Sequence, residues 1–301
     1  MVLSIGATMG ALLAGAALVA PAVVSSASPP AARAAAPTDA APRATAQGSP
    51  EVTPAGLVTH SSLSSDADPG SSGVSTDASR RTVTARSTVS SAPGGSAGSF
   101  TYLITNTNGS PARFNPCAAV HYVTNLAEAP AGAASTVSTV LSRITAATGV
   151  SFVFDGPTAE VPSTTRGAYQ PTRYGSRWAP VVIAWAKASQ SNLLPGGNVI
   201  GEGGSTWVAY SGGPKVFVTG EVVIDADRTA TMDSGFGPGA SVGGLLLHEL
   251  GHVMGLGHTQ DPNQVMYPAL LRVASAQYGA GDLAGLGHLG RTAGCLTTPN
   301  P

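Results

Sequence analysis

Charge is scarce in this chain. Only 10% of its 301 residues are Asp, Glu, Lys or Arg, and the formal net charge is −1. The few basic residues are scattered, which excludes the basic stripe that a nucleic-acid partner requires. Cysteine is scarcer still. There are two, Cys117 and Cys295, and none precedes Cys117. They lie near opposite ends of the last 200 or so residues, and in an exported protein they are expected to pair. The alternative is two buried free thiols. Histidine is also rare, six in all, yet three of the six fall between positions 248 and 258.

Long apolar runs are nearly absent. The exception is residues 2–24, rich in Ala, Val, Leu and Gly and closed by Ser25-Ser26-Ala27. That pattern fits residues 1–27 as a signal peptide with a small-residue cleavage site, though its first residues lack Lys and Arg. The competing reading is an uncleaved membrane anchor, since the run is long enough to span a bilayer. Either way the remainder is expected outside the cell, secreted or anchored, with no stable membrane association once the signal is cut. Residues 28–98 are mostly Ala, Ser, Thr, Pro and Gly. So few large apolar side chains do not offset the entropy of ordering, so the segment reads as a disordered linker or propeptide-like spacer. Arg80-Arg81 within it is a candidate processing point, or simply two exposed basic residues. Residues 99–301 suffice for one domain with a sizeable core.

Against this background one stretch stands out. His248-Glu249-Leu250-Gly251-His252-Val253-Met254-Gly255-Leu256-Gly257-His258 reads H-E-x-x-H-x-x-G-x-x-H. The chain's own frequencies give a chance occurrence of about 10⁻⁵. On a helix, residues four apart share a face, so His248 and His252 can present two imidazoles to one ion. Glu249, about 100° further round, sits beside that ion without ligating it. Gly255 can leave the helix through a backbone conformation that other residues resist, bringing back His258 as third ligand. Three protein ligands leave the fourth zinc position to water, with Glu249 as general base. The bland reading, a buried helix with hydrogen-bonded histidines, would bury three imidazoles and an acid at high cost. Leu246, Leu250 and Val253 recur at i, i+4, i+7, with Leu247 and Met254 beside them, giving the helix a buried back. Ser241 is its candidate N-cap, and Pro238-Gly239 mark the loop before it.

This motif, followed by Asp261-Pro262-Asn263-Gln264-Val265-Met266-Tyr267-Pro268, resembles the metzincin metallopeptidases, and among them most closely the matrixins. The resemblance implies an α+β domain in which a twisted mixed sheet lies beside a long zinc-binding helix, a Met-turn and a C-terminal helix. It implies one catalytic Zn²⁺ on His248, His252 and His258. Met266 would be the Met-turn methionine, and Tyr267 and Pro268 would form a wall of the substrate pocket. Gly220 to Asp227 resembles the strand before the zinc helix, and Asp282-Leu283-Ala284-Gly285-Leu286 the start of the C-terminal helix. Two family features are missing. The other histidines, His60, His121 and His288, do not supply the second, structural zinc site. Without a cysteine before Cys117, the family's thiol-based latency is not available. Calcium sites are common in the family, and Asp225 and Asp227 are the candidate contributors here. An acid pair at a strand end is otherwise simply solvated.

The elements can be placed coarsely. Val120–Val123, Ser151–Phe154 and Pro180–Trp185 read as strands. Gly132 to Thr148 carries Val137, Val140, Leu141 and Ile144 at helical spacing, ended by Gly149. Thr206–Tyr210, Val216–Val218 and Glu221–Asp225 are further β-rich runs, and Thr206–Tyr210 is the candidate edge strand for an extended substrate. A final helix starts near Asp282. The function expected is a secreted, monomeric zinc endopeptidase acting on protein or peptide substrates. The alternatives are a zinc hydrolase for cell-wall peptide or another amide, and a non-proteolytic zinc-containing binding module. The last is disfavoured because Glu249 is present.

Overall fold

Runs of β-branched residues set the sheet. The computed structural model describes residues 52–53, 59–64 and 99–301, apart from 198, 211, 238 and 271–275. In chain order the strands are β1 (Val52–Thr53), β2 (Thr59–Ser64), β3 (Thr101–Tyr102), β4 (Val120–Asn125), β5 (Phe152–Pro157), β6 (Val181–Ala186), β7 (Val199–Tyr210), β8 (Val216–Asp225) and β9 (Leu256–Gly257). The helices are α1 (Ala133–Thr148), α2 (Pro171–Tyr174), α3 (Ala226–Thr229), α4 (Val242–Met254) and α5 (Ala280–Leu289). The signal-like residues 1–27 and the Arg80-Arg81 pair lie outside the described residues. Among the described residues no helix is long and apolar enough to cross a membrane.

The main sheet is mixed, as expected. Strand β4 pairs in parallel with β5 and with β6, and β6 in parallel with β8. Strand β7 turns back antiparallel along β8. Its other side pairs antiparallel with β1 and β2. A separate two-stranded ladder joins β3 to β9 just after the motif helix.

Period-two alternation divides the two faces. In β6, Val181, Ile183 and Trp185 enter the main core with Val222 and Ile224 of β8, while Val182, Ala184 and Ala186 join small clusters on the other face. Strands buried on both faces read as continuous apolar runs, which is why Val181–Trp185 was legible as a strand. Onto the main-core face pack α1, through Val137, Val140, Leu141 and Ile144, and α4, through Leu245, Leu246, Leu247, Leu250 and Val253. Gly149 ends α1 with a φ of 71°, a conformation that favours glycine.

Cys117 and Cys295 form a disulfide, tying the loop before β4 to the C-terminal segment across 178 residues. In the chain-entropy model a loop of that length stabilises the fold by about 5 kcal/mol. Asn115 reinforces the junction, its side-chain oxygen accepting from the backbone N–H groups of Cys117 and Leu296.

The structure departs from the composition-based boundaries at one place. Strands β1 and β2 fall inside residues 28–98, the stretch expected to be linker. Their register against β7 is a backbone ladder, Val52 with Tyr210 and Thr59 with Ser205 onward to Ser64 with Val199. Main-chain pairing needs no run of large apolar side chains, so composition carries little trace of it.

Candidate metal centre

A serine and a glycine cap the motif helix. Ser241 is its N-cap, its hydroxyl accepting the N–H of Gly244 at 3.2 Å. At the other end Gly255 takes a φ of 113°, and its N–H bonds the carbonyl oxygens of Gly251 and His252. That turn sends the chain through β9 to His258. The apolar residues flanking His248 and His252, namely Leu246, Leu247, Leu250, Val253 and Met254, are all buried, as their spacing required.

The three histidines come together as the motif predicts. Nε2 of His252 lies 3.0 Å from Nε2 of His248 and 3.2 Å from Nε2 of His258, and the third edge is also 3.2 Å. Among the described residues this is a group of three metal-type ligands whose donor atoms all fall within 4.8 Å. Nδ1 of His248 donates to the carbonyl of Val265 at 2.7 Å, and Nδ1 of His252 to that of Leu256 at 2.8 Å. With the ring proton on Nδ1, Nε2 presents a lone pair. Converging lone pairs repel unless a cation lies between them. Nitrogens about 2.0–2.1 Å from a tetrahedral zinc would stand roughly 3.3–3.4 Å apart, close to the spacing found. Burial pushes His248 down to about 3 and His252 well below the ordinary imidazole range, so both are held neutral, the form that ligates. The residues therefore fit the zinc that the motif implies.

Glu249 is fully buried, and neither carboxylate oxygen has a hydrogen-bond partner among the described protein groups. Burial, and then the nearby charge of Glu202, raise its pKa well above the usual carboxylate range. Strand β7 passes directly over it. A Cβ on Gly201 would fall 2.9 Å from Glu249 Oε1, and one on Gly203 would collide with the Glu249 backbone carbonyl. The two glycines let strand and helix touch, a signal not exploited in reading the sequence.

Met266 lies beneath the helix, 1% exposed, with its sulfur against Gly251. Its carbonyl accepts the N–H of Thr259, one residue past His258. Tyr267 and Pro268 follow, both half-buried. Sequence reasoning missed the anchor of this turn. Asp282 is wholly buried at the start of α5, and its carboxylate accepts the N–H groups of Val265 at 2.7 Å, Gly279 at 3.0 Å and Met266 at 3.4 Å. Val265 is thus gripped at both ends, by Asp282 at its N–H and by His248 at its carbonyl. An acid at the third position of a helix is the legible part of that signal.

The remaining candidates resolve differently. Asp225, buried, spends its carboxylate capping α3, accepting the N–H groups of Asp227 and Arg228. His121 bonds Asp155 at 2.8 Å on β5, far in sequence from the motif and outside the histidine group. His288 lies 3.1 Å from the Tyr102 hydroxyl.

The family model described as Matrixin matches residues 172–289. Matrilysin of Felis catus is 34% identical over 102 residues, covering 34% of this chain and 33% of that protein. Matrilysin of Homo sapiens is 31% identical over 104 residues, covering 35% and 33% respectively. The chain thus spans about a third of the length of these relatives. Among solved structures, an archaemetzincin from Methanopyrus kandleri superposes with a TM-score of 0.33 and 19% identity, covering 56% of this chain and 93% of its own. The segment that carries the histidines, Met266 and Asp282 is matrixin-like in sequence.

Proposed function

We propose that this chain is a zinc-dependent endopeptidase. One observation carries the reading: three histidine Nε2 atoms converge on a helix that also carries the buried Glu249 carboxylate, which no group among the described residues satisfies. His248, His252 and His258 would hold one Zn²⁺. Bound there, the ion would supply an activated water and polarise the substrate carbonyl. The Val265 and Leu256 carbonyls fix the imidazole tautomers. Glu249 takes a proton at its carboxylate and returns it to the leaving nitrogen, so the C–N bond is cut by net addition of water. Strand β7 lies over Glu249, and an extended peptide pairing with it, a mode that tolerates many sequences, would take the place of β2 along Val199–Ser205. Tyr267 and Pro268 are assigned to the adjoining pocket wall. The Cys117–Cys295 bridge and the apolar residues 2–24 support export, because disulfides persist in oxidising compartments.

The test is cleavage of a denatured protein and of a cell-wall peptide by the metal-loaded chain, with and without chelator. Chelator-sensitive cleavage of the denatured protein is expected. Cleavage of the cell-wall peptide alone would narrow the substrate class. Cleavage of neither, with zinc bound, would refute the reading and favour a binding module.

A further inference from the structure

Of the three histidines, His258 is the one that no helix carries. The chain leaves α4 at Gly255, and the short strand β9 leads straight to it. Strand β3 runs antiparallel beside that stretch, Tyr102 opposite Leu256 and Thr101 opposite Gly257. The N–H of Leu103 donates to the carbonyl of Gly255 at 3.0 Å. The Thr101 hydroxyl donates to the carbonyl of His258 itself at 2.7 Å. Just beyond, the hydroxyls of Ser99 and Thr259 lie 2.7 Å apart. Gly257 makes room for this approach, since a Cβ there would fall 2.5 Å from Thr101 Oγ1 and 3.2 Å from the Tyr102 backbone. Strand β3 is held in turn by α5. Phe100 lies against Gly285, its ring meets that of Tyr102 edge-on, and the Tyr102 hydroxyl lies 3.1 Å from Nδ1 of His288.

We propose that Thr101 is a positioning residue for the metal centre, its hydroxyl and the β3 ladder together setting where His258 stands. This rests on the zinc-binding part of the reading above. The physical case is preorganisation. His248 and His252 share the rigid frame of α4, whereas His258 follows on extended backbone. Ordering a loose residue at the moment of binding costs conformational entropy that a residue already in place does not spend. The Leu103 bond fixes the chain where it leaves the helix, and the Thr101 bond fixes the peptide group of His258. His252 gains as well, because its Nδ1 donates to the carbonyl of Leu256, the residue opposite Tyr102. Strand β3 thus steadies the surroundings of two of the three nitrogens. Thr101 stands 157 residues before His258, so no spacing within the motif points to it.

Two full-chain variants separate positioning from packing. Thr101→Val keeps the branched shape and removes the hydroxyl, while Thr101→Ser keeps the hydroxyl and removes a methyl. Zinc affinity is read by competition with a graded chelator, and ligand geometry by the visible absorption of Co²⁺ bound in place of zinc. In Thr101→Val the affinity is expected to fall about threefold to tenfold, the range of one hydrogen bond, and the Co²⁺ bands to shift. In Thr101→Ser both should stay at the parent's values. An unchanged affinity and spectrum in Thr101→Val, or equal losses in the two variants, would overturn the proposal and leave the zinc site standing. A second measurement needs no variant. Binding and ordering are linked in both directions, so zinc should slow hydrogen exchange at the Leu103 amide by about tenfold more than along the β4–β5 ladder. Slowing no greater than on that ladder would overturn the proposal. A parent chain that takes up neither ion would overturn it together with the zinc reading.

Discussion

Asp282 shows how far from the histidines their geometry is set. Its carboxylate holds Val265, and Val265 holds His248, so a residue on α5 helps fix the orientation of a histidine on α4. Replacing it with Ala would leave three backbone N–H groups without that acceptor. Each buried donor so abandoned costs about 1–3 kcal/mol, and the three act as a unit rather than adding fully. Asp282→Ala is therefore expected to destabilise the fold by about 3 kcal/mol and to weaken zinc retention roughly 10–100-fold, as losses behind a ligand do. Urea unfolding and competition with a graded chelator would check both. An unchanged zinc affinity at reduced stability would confine Asp282 to folding.

At the scale of elements, the contact between β7 and α4 sets how closely the sheet approaches Glu249. Strand and helix approach until a Cβ on Gly203 would strike the Glu249 backbone. Gly203→Ala should force them apart. Overpacking of this kind costs about 1–3 kcal/mol, and because backbone rather than a flexible side chain is struck, the upper end is expected. A lowered melting temperature with a matching loss of activity per folded molecule would fit; wild-type stability would show that the strand stands further off.

These elements also mark what could be read beforehand. The caps of α4, the burial of its leucines, the return of His258 and the boundaries of α1 all follow from local rules, and each was legible from residues within a turn or two. Thr206–Tyr210 was recognised as strand, but it is only the end of the longer β7, because Gly201, Gly203 and Gly204 break the β-branched pattern upstream. The strands β1 and β2, and the grip of Asp282 on Val265, join residues far apart in sequence. No periodicity within either partner announces such pairings.

For the molecule as a whole, the acidic cluster on the far face of the sheet gives a stability signature. Glu221 is 2% exposed, and burial lifts it from 4.5 to about 7 despite nearby Arg166 and the N–H of Ser163, with Glu160 and Glu202 adding to the rise. Burial lifts Glu202 likewise to about 7. A folded carboxyl that titrates above its unfolded value binds its proton more tightly when folded. Its contribution is fully present below about pH 4.5 and is lost as pH rises through about 7. Glu221→Gln keeps an acceptor for Ser163 and removes the titration. The drop in urea midpoint between pH 5 and pH 8 is expected to be smaller in that variant than in the parent. An equal drop would place the pH dependence elsewhere.

In the proposed peptidase, His248, His252 and His258 hold one zinc while Glu249 moves the proton. Its most direct test is Glu249→Gln, with metal content and kcat/KM on a peptide library measured on the same preparations. One zinc per chain is expected in both proteins, with a fall in kcat/KM of about 10²–10⁴ in the variant, the range supplied by a positioned general base. Undiminished cleavage by Glu249→Gln, or a parent protein that cleaves without bound metal, would contradict it.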